Sequence, residues 1–90
     1  MDGQRQRRAL SAAESALRAL AAGDPARART AAAKAAALDQ IGVYAAFAGL
    51  VRRAAGEIEQ MGGVADTTRD GLRGSLAPGP LAAAVQGLLR

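Results

Sequence analysis

Between Gln4 and Ala22 the apolar residues Ala9, Leu10, Ala13, Ala16, Leu17, Leu20 and Ala21 recur at three- and four-residue spacing. That recurrence is one face of a helix. Arg7, Arg8, Ser11, Glu14, Ser15 and Arg18 fill the other side, with Glu14 four residues ahead of Arg18 in the favourable order. Gly23 is the usual residue for a left-handed helix end. Asp24-Pro25 then opens a second helix: the aspartate caps free N–H groups, and proline at the first position loses only a donor that had no partner. This helix reaches Leu38, with Ala28, Ala31, Ala32, Ala35 and Leu38 inward and Arg27, Thr30 and Lys34 outward. A third helix is predicted from about Gln40 to Met61, carrying Ile41, Tyr44, Phe47, Ala48, Val51, Ala54, Ala55 and Ile58.

Gly62-Gly63 breaks that third helix. From Val64 to Leu76 the signals conflict. Asp66, Thr67 and Thr68 offer caps for a short helix through Leu72, and Gly71 and Gly74 interrupt it. Pro78-Gly79-Pro80 is a turn, and Leu81, Ala84, Val85, Leu88 and Leu89 form a short amphipathic helix that must dock to be stable. Gly42, Gly49 and Gly56 recur every seven residues. They read either as a close-packing seam for another helix or as scattered glycines, each weakening the helix by about 1 kcal/mol.

Alanine fills 25 of the 90 positions, and the aromatics are Tyr44 and Phe47. Alanine buries little area but is the best helix former, so part of the folding drive moves from burial to propensity. Strand-rich folds favour Val, Ile, Thr, Tyr and Phe, so the expectation is an all-α bundle in one small domain. Its parts are a basic arm over 1–8, a helical hairpin over 9–40, a third helix over 41–61, a Gly/Pro-rich connection over 62–80 and a C-terminal helix over 81–90. Tyr44, Phe47, Leu50, Val51 and Ile58 span a face wider than one alanine-rich hairpin covers. That width predicts a homo-oligomer, a dimer in the simplest case.

From Ala9 to Gln40 the chain resembles a single tetratricopeptide repeat. Ala16 stands at the first small site, Gly23-Asp24 at the turn, Ala28 and Ala35 at the two alanine sites, and Leu38-Asp39 at the ending. Ala12, Ala19 and Ala32 stand where the family has large aromatics, and Gln40 where it has proline. About thirty-four residues on, the family's period, Gly23-Asp24 is answered by Glu57-Ile58, inside the third helix, so no second copy is read. The third helix then takes the part of a capping helix. The resemblance implies a helical interaction module without naming its ligand. A hairpin built on a Trp-x-Gly turn is matched only by Leu72-Arg73-Gly74, near the C-terminus.

The chemistry is sparse. With no histidine or cysteine, the chain has no thiolate metal site, no disulfide framework and no base beside a nucleophile. The carboxylates have simple roles: Asp24 a cap, Asp39 a helix end, and Glu14, Glu57 and Glu59 a solvated face. Asp66 and Asp70 supply fewer oxygens than a hard cation needs, and Gly71-x-x-Gly74 lacks the strand and lysine of a phosphate loop. No enzyme, cofactor or metal is therefore expected. The apolar run from Ile41 to Val51 is about half a membrane span, and Glu14 and Arg18 interrupt any leader-like core, so a cytoplasmic protein is expected.

Twelve basic against eight acidic residues give a net charge of +4, and eleven of the twelve are arginine. Arginine suits bidentate phosphate binding, though the composition also fits a GC-rich codon bias. Two functional readings follow. A non-enzymatic protein-interaction module would use the row Leu10, Ala13, Leu17 and Leu20 to hold a partner's helix, unless the third helix buries that row. A small nucleic-acid-binding protein would instead place Arg5, Arg7, Arg8 and Arg18 on phosphates.

Overall fold

A computed structural model of the chain describes residues 2–38, 42 and 44–76. These form an all-α bundle of four helices: α1 (Asp2–Ala21), α2 (Pro25–Leu38), α3 (Tyr44–Met61) and α4 (Asp66–Leu76). No strand occurs among the described residues, and no helix there is long and apolar enough to cross a membrane. The predicted features at Asp39 to Ile41, at Pro78-Gly79-Pro80 and over 81–90 lie outside the described residues.

The turn between α1 and α2 is made of local bonds. Gly23 adopts a φ of 74°, its N–H donates to the Leu20 carbonyl at 3.1 Å, and the Asp24 N–H donates to the Ala19 carbonyl at 2.8 Å. This bond pair terminates a helix around a left-handed glycine. Asp24 also starts α2, since its Oδ1 accepts the Arg27 N–H at 3.1 Å and its carbonyl accepts the Ala28 N–H at 3.1 Å. One residue thus serves both helices, and α1 and α2 run antiparallel side by side.

The core holds Ala9, Ala12, Ala13, Ala16, Leu17, Ala19 and Leu20 of α1, and Ala28, Ala32 and Ala35 of α2. From α3 come Tyr44, Phe47, Ala48, Val51 and Ala54, and from α4 Leu72. Most members are alanines, so the helices approach closely around a few large side chains. Phe47, Leu17, Leu72 and Val51 are the largest fully buried ones, each contributing about 1.5–3 kcal/mol by transfer. Tyr44 and Phe47 meet edge to face, with ring centroids 6.2 Å apart and planes at 72°.

Four expectations change. The stretch expected as a basic arm is no separate arm over residues 2–8, because α1 already begins at Asp2. Arg5 ties this first part down, its Nε donating to the Leu38 carbonyl at 3.2 Å and its Nη2 to Ala37 at 3.4 Å. The third helix begins at Tyr44 rather than Gln40, since Gly42 has a φ of 82°, which no α-helix accommodates. The connection over 62–80 contains a full helix, α4, running through Gly71 and Gly74. Finally, α3 is not a single cap. With Gly62 at a φ of 80° in the turn, α3 and α4 make a second hairpin, and α3 packs on both α2 and α1 while α4 touches α3 alone.

The second hairpin is closed by a side chain rather than by its own turn. The Glu57 carboxylate of α3 accepts the Ala65 N–H at 3.0 Å and the Thr68 hydroxyl at 2.8 Å. The Ala65 carbonyl accepts the Arg69 N–H at 3.0 Å, so Ala65 stands at the helix start with an apolar side chain. Glu57 supplies from α3 the oxygen that a capping side chain would have offered. Expected on a solvated face, its side chain is instead 14% exposed, with Arg53 Nε 3.7 Å from Oε2.

Candidate functional site

The row Leu10, Ala13, Leu17 and Leu20 is not a free surface. Ala13 and Leu17 are 0% exposed, Leu20 5%, and Leu10 is half-buried against the same core. The pattern that marked these residues as apolar is the reason: α2 and α3 cover them. The wide face of α3 is likewise used internally. Tyr44, Phe47 and Val51 are buried, and Leu50 and Ile58 are packed against the core. Leu50 Cδ2 lies where a Cβ on Gly71 would be 3.2 Å away, so α4 comes close because residue 71 has no side chain. Met61, 65% exposed, is the exposed large hydrophobic among the described residues. The apolar patch that suggested a dimer is therefore covered by the chain itself.

The glycine stripe does not close a seam among the described residues. Gly42 stands outside the helix, a Cβ on Gly49 would meet only Arg52 Nη2 at 3.9 Å, and one on Gly56 would meet nothing within 4 Å.

The four arginines do not act together either. Arg5 is engaged with the last carbonyls of α2. Arg18 lies 3.8 Å from Glu14. Arg7 is exposed. Of the four, Arg8 alone lines the groove between α1 and α2 described next.

That groove, of about 320 Å³, runs between α1 and α2 and is lined by Arg8, Ser11, Ala12 and Ser15 of α1 and by Arg27, Thr30, Ala31 and Lys34 of α2. The two outer rows, each predicted as a solvated face, thus become the walls of one cleft. A second groove of about 280 Å³ shares Ser15 and Arg27 and continues past Arg18, Ala19 and Ala22 to Asp24. Neither α3 nor α4 contributes a residue to either groove. Arg27 and Arg29 are two residues apart on α2, about 200° of rotation. Arg29 turns to α3 and pairs with Glu59, while Arg27 turns to the groove. The cleft is the side of the hairpin that α3 leaves uncovered.

Its electrostatics are one-sided. No carboxylate lines the larger groove, and Arg8 and Lys34 have no ion-pair partner among the described residues. Arg27 Nε is 3.9 Å from Asp24, whose other oxygen is occupied as the α2 cap. Ser11, Ser15 and Thr30 are exposed, and the Thr30 hydroxyl donates to the Ala26 carbonyl at 3.1 Å. The floor is formed by the methyl groups of Ala12 and Ala31. The cleft thus sets two walls of cations and hydroxyls over an apolar floor, and its lining holds no base beside a nucleophile.

Elsewhere several ionisable groups are paired within the fold. Glu59 lies below the usual carboxylate range and Arg29 above its ordinary value, each chiefly through their mutual hydrogen bond. Asp70 pairs with Arg73 at 3.7 Å, and no three acidic side chains come together as a metal site among the described residues. The signal for the groove was present in the sequence: cation and hydroxyl alternate at helical spacing as Arg8, Ser11, Ser15, Arg18 and as Arg27, Thr30, Lys34. The tight turn between these rows sets them side by side. Comparison with protein-family models, curated proteins and solved structures finds no match to the chain.

Proposed function

We propose that this chain is a non-enzymatic protein-interaction module whose contact surface is the α1–α2 groove, not the leucine row of α1. One observation carries the reading: Arg8 and Lys34 face a cleft that holds no carboxylate among the described residues, on a bundle whose large apolar faces there are otherwise covered. The resemblance of residues 9–40 to a tetratricopeptide repeat supports a binding role of this kind. A nucleic-acid role is less well supported, since both aromatics are buried and give no base a stacking surface.

Site-specific photo-crosslinking tests it. A benzophenone side chain at Ser11 of the full chain, placed in native cell extract, should give a discrete adduct. Ser15→Trp, which fills the cleft, should remove that adduct. The same probe at exposed Arg52 on α3 should give none. An adduct at Arg52 that persists with Ser15→Trp, and none at Ser11, would overturn the assignment.

A further inference from the structure

We propose that the α1–α2 groove is a docking site for an acidic amphipathic helix of a partner protein, whose carboxylates meet Arg8, Arg27 and Lys34 and whose small residues rest on Ala12 and Ala31. The inference rests on the groove reading above and names its ligand.

Charge selects the ligand class. Three cations line the larger groove without an acidic residue, and two of them have no carboxylate partner among the described residues. An anion entering the cleft therefore displaces few existing ion pairs. Shape selects a helix. The cleft is a furrow between two antiparallel helices with a floor of methyl groups, and the opposite side of this pair already seats α3. Small residues let a further helix come near enough for side chains to interlock.

Spacing selects the pattern. Arg27 and Lys34 are seven residues apart on one helix, about 10.5 Å along its axis, which is also the separation of positions i and i+7 on a helix laid alongside. Glutamates at i and i+7 therefore reach both cations, with alanine or serine at i+3 and i+4 over the floor. Ser11 and Ser15 offer hydroxyl donors between them. A phosphate backbone fits less well. Its charges are evenly and closely spaced, whereas here the cations stand at the ends of the cleft, with hydroxyls and methyl groups between, and Arg5 and Arg18 are engaged elsewhere.

The test uses the full chain with three fluorescein-labelled probes. These are an alanine-rich helical peptide bearing glutamates at i and i+7, the same peptide with glutamines, and a random-sequence DNA duplex. Anisotropy gives affinity and amide NMR shifts give the location. The glutamate peptide should bind, shift the amides around Ser11, Ser15 and Thr30, and weaken as salt screens the contacts. Glutamine replacement, or Arg8→Glu with Lys34→Glu in the protein, should weaken binding about tenfold. Arg52→Glu should leave it unchanged. Arg8, Lys34 and Arg52 are exposed, so their variants keep the fold, which circular dichroism verifies.

Equal binding of both peptides in the groove would overturn the acidic ligand while leaving the groove as the contact surface. Shifts confined to another face would sink both. DNA binding through Arg8 and Lys34, without peptide binding, would overturn the proposal in favour of nucleic acid. Absence of binding by every probe at millimolar concentration would overturn it as well, while the Ser11 crosslink separately decides the groove.

Discussion

Replacing Glu57 should unfasten α4. Its carboxylate accepts the Ala65 N–H at 3.0 Å and the hydroxyl of Thr68, itself only 2% exposed. Glu57→Ala leaves both donors without an acceptor, at about 1–3 kcal/mol for each donor kept from water. Ala65 is half-buried, so water recovers part of its loss, and the expected cost is about 2–3 kcal/mol. A domain this small has a total stability of only about 5–13 kcal/mol. The change therefore lowers the melting temperature by about 10–20 °C, at roughly 4–8 °C per kcal/mol. Because α4 packs on α3 alone, its amides should lose hydrogen-exchange protection before those of α1 and α2. Glu57→Gln keeps the shape and one acceptor oxygen and should cost about 1 kcal/mol.

Acid gives an independent check on the same contact. The Glu57 carboxyl is held below the usual carboxylate range, first by the Ala65 N–H and then by the Thr68 hydroxyl and Arg53, which together outweigh its desolvation. A depressed folded-state value means the stabilisation is complete above the unfolded value, about 4.3, and is lost as pH falls through the folded one. The gap between wild type and Glu57→Gln should therefore be widest near neutrality and narrow below about pH 4. Parallel pH profiles of the two proteins, or a Glu57→Ala cost under about 0.5 kcal/mol, would refute this reasoning.

Three further outcomes are expected. Leu17→Ala should destabilise by about 2–5 kcal/mol in urea denaturation, since a fully buried leucine leaves a cavity. Gly56→Ala should stabilise α3 by about 0.8–1 kcal/mol, because the new methyl meets nothing within 4 Å and the helix gains propensity. A loss of stability there would instead point to a partner packed at that position. Asp24→Ala should cost about 0.5–2 kcal/mol through the lost cap on Arg27, measured by thermal unfolding.

Much of the first hairpin was legible because its information is local. Gly23, Asp24 and Pro25 stand next to one another, and the bonds made by Gly23 and Asp24 lie within five residues. The burial of α2 and α3 followed from their periodicity for the same reason. Helix α4 was legible only in part, as a short helix through Leu72, because its capping oxygen comes from Glu57, eight residues before Ala65, and its two glycines read as breaks. Gly71 is accommodated by Leu50 of another helix, a contact that local sequence does not display. The leucine row stayed open between a contact surface and a buried face, because amphipathicity tells which side of a helix is apolar, not what covers it. The groove escaped for the complementary reason: each wall alone resembles an ordinary wet surface, and only the antiparallel pairing turns two such surfaces toward one space.

The two hydrogen bonds of Arg5 to the Ala37 and Leu38 carbonyls also bear on how that space can be entered. The covalent turn joins α1 and α2 at one end, and Arg5 joins them at the other, so the pair is a frame closed on both short sides. A closed frame resists being pried open. On the proposed docking role, a guest would settle lengthwise from above between two rails of fixed separation. On that role little ordering would be left for the moment of encounter, a condition for rapid, single-step capture governed by collision and charge.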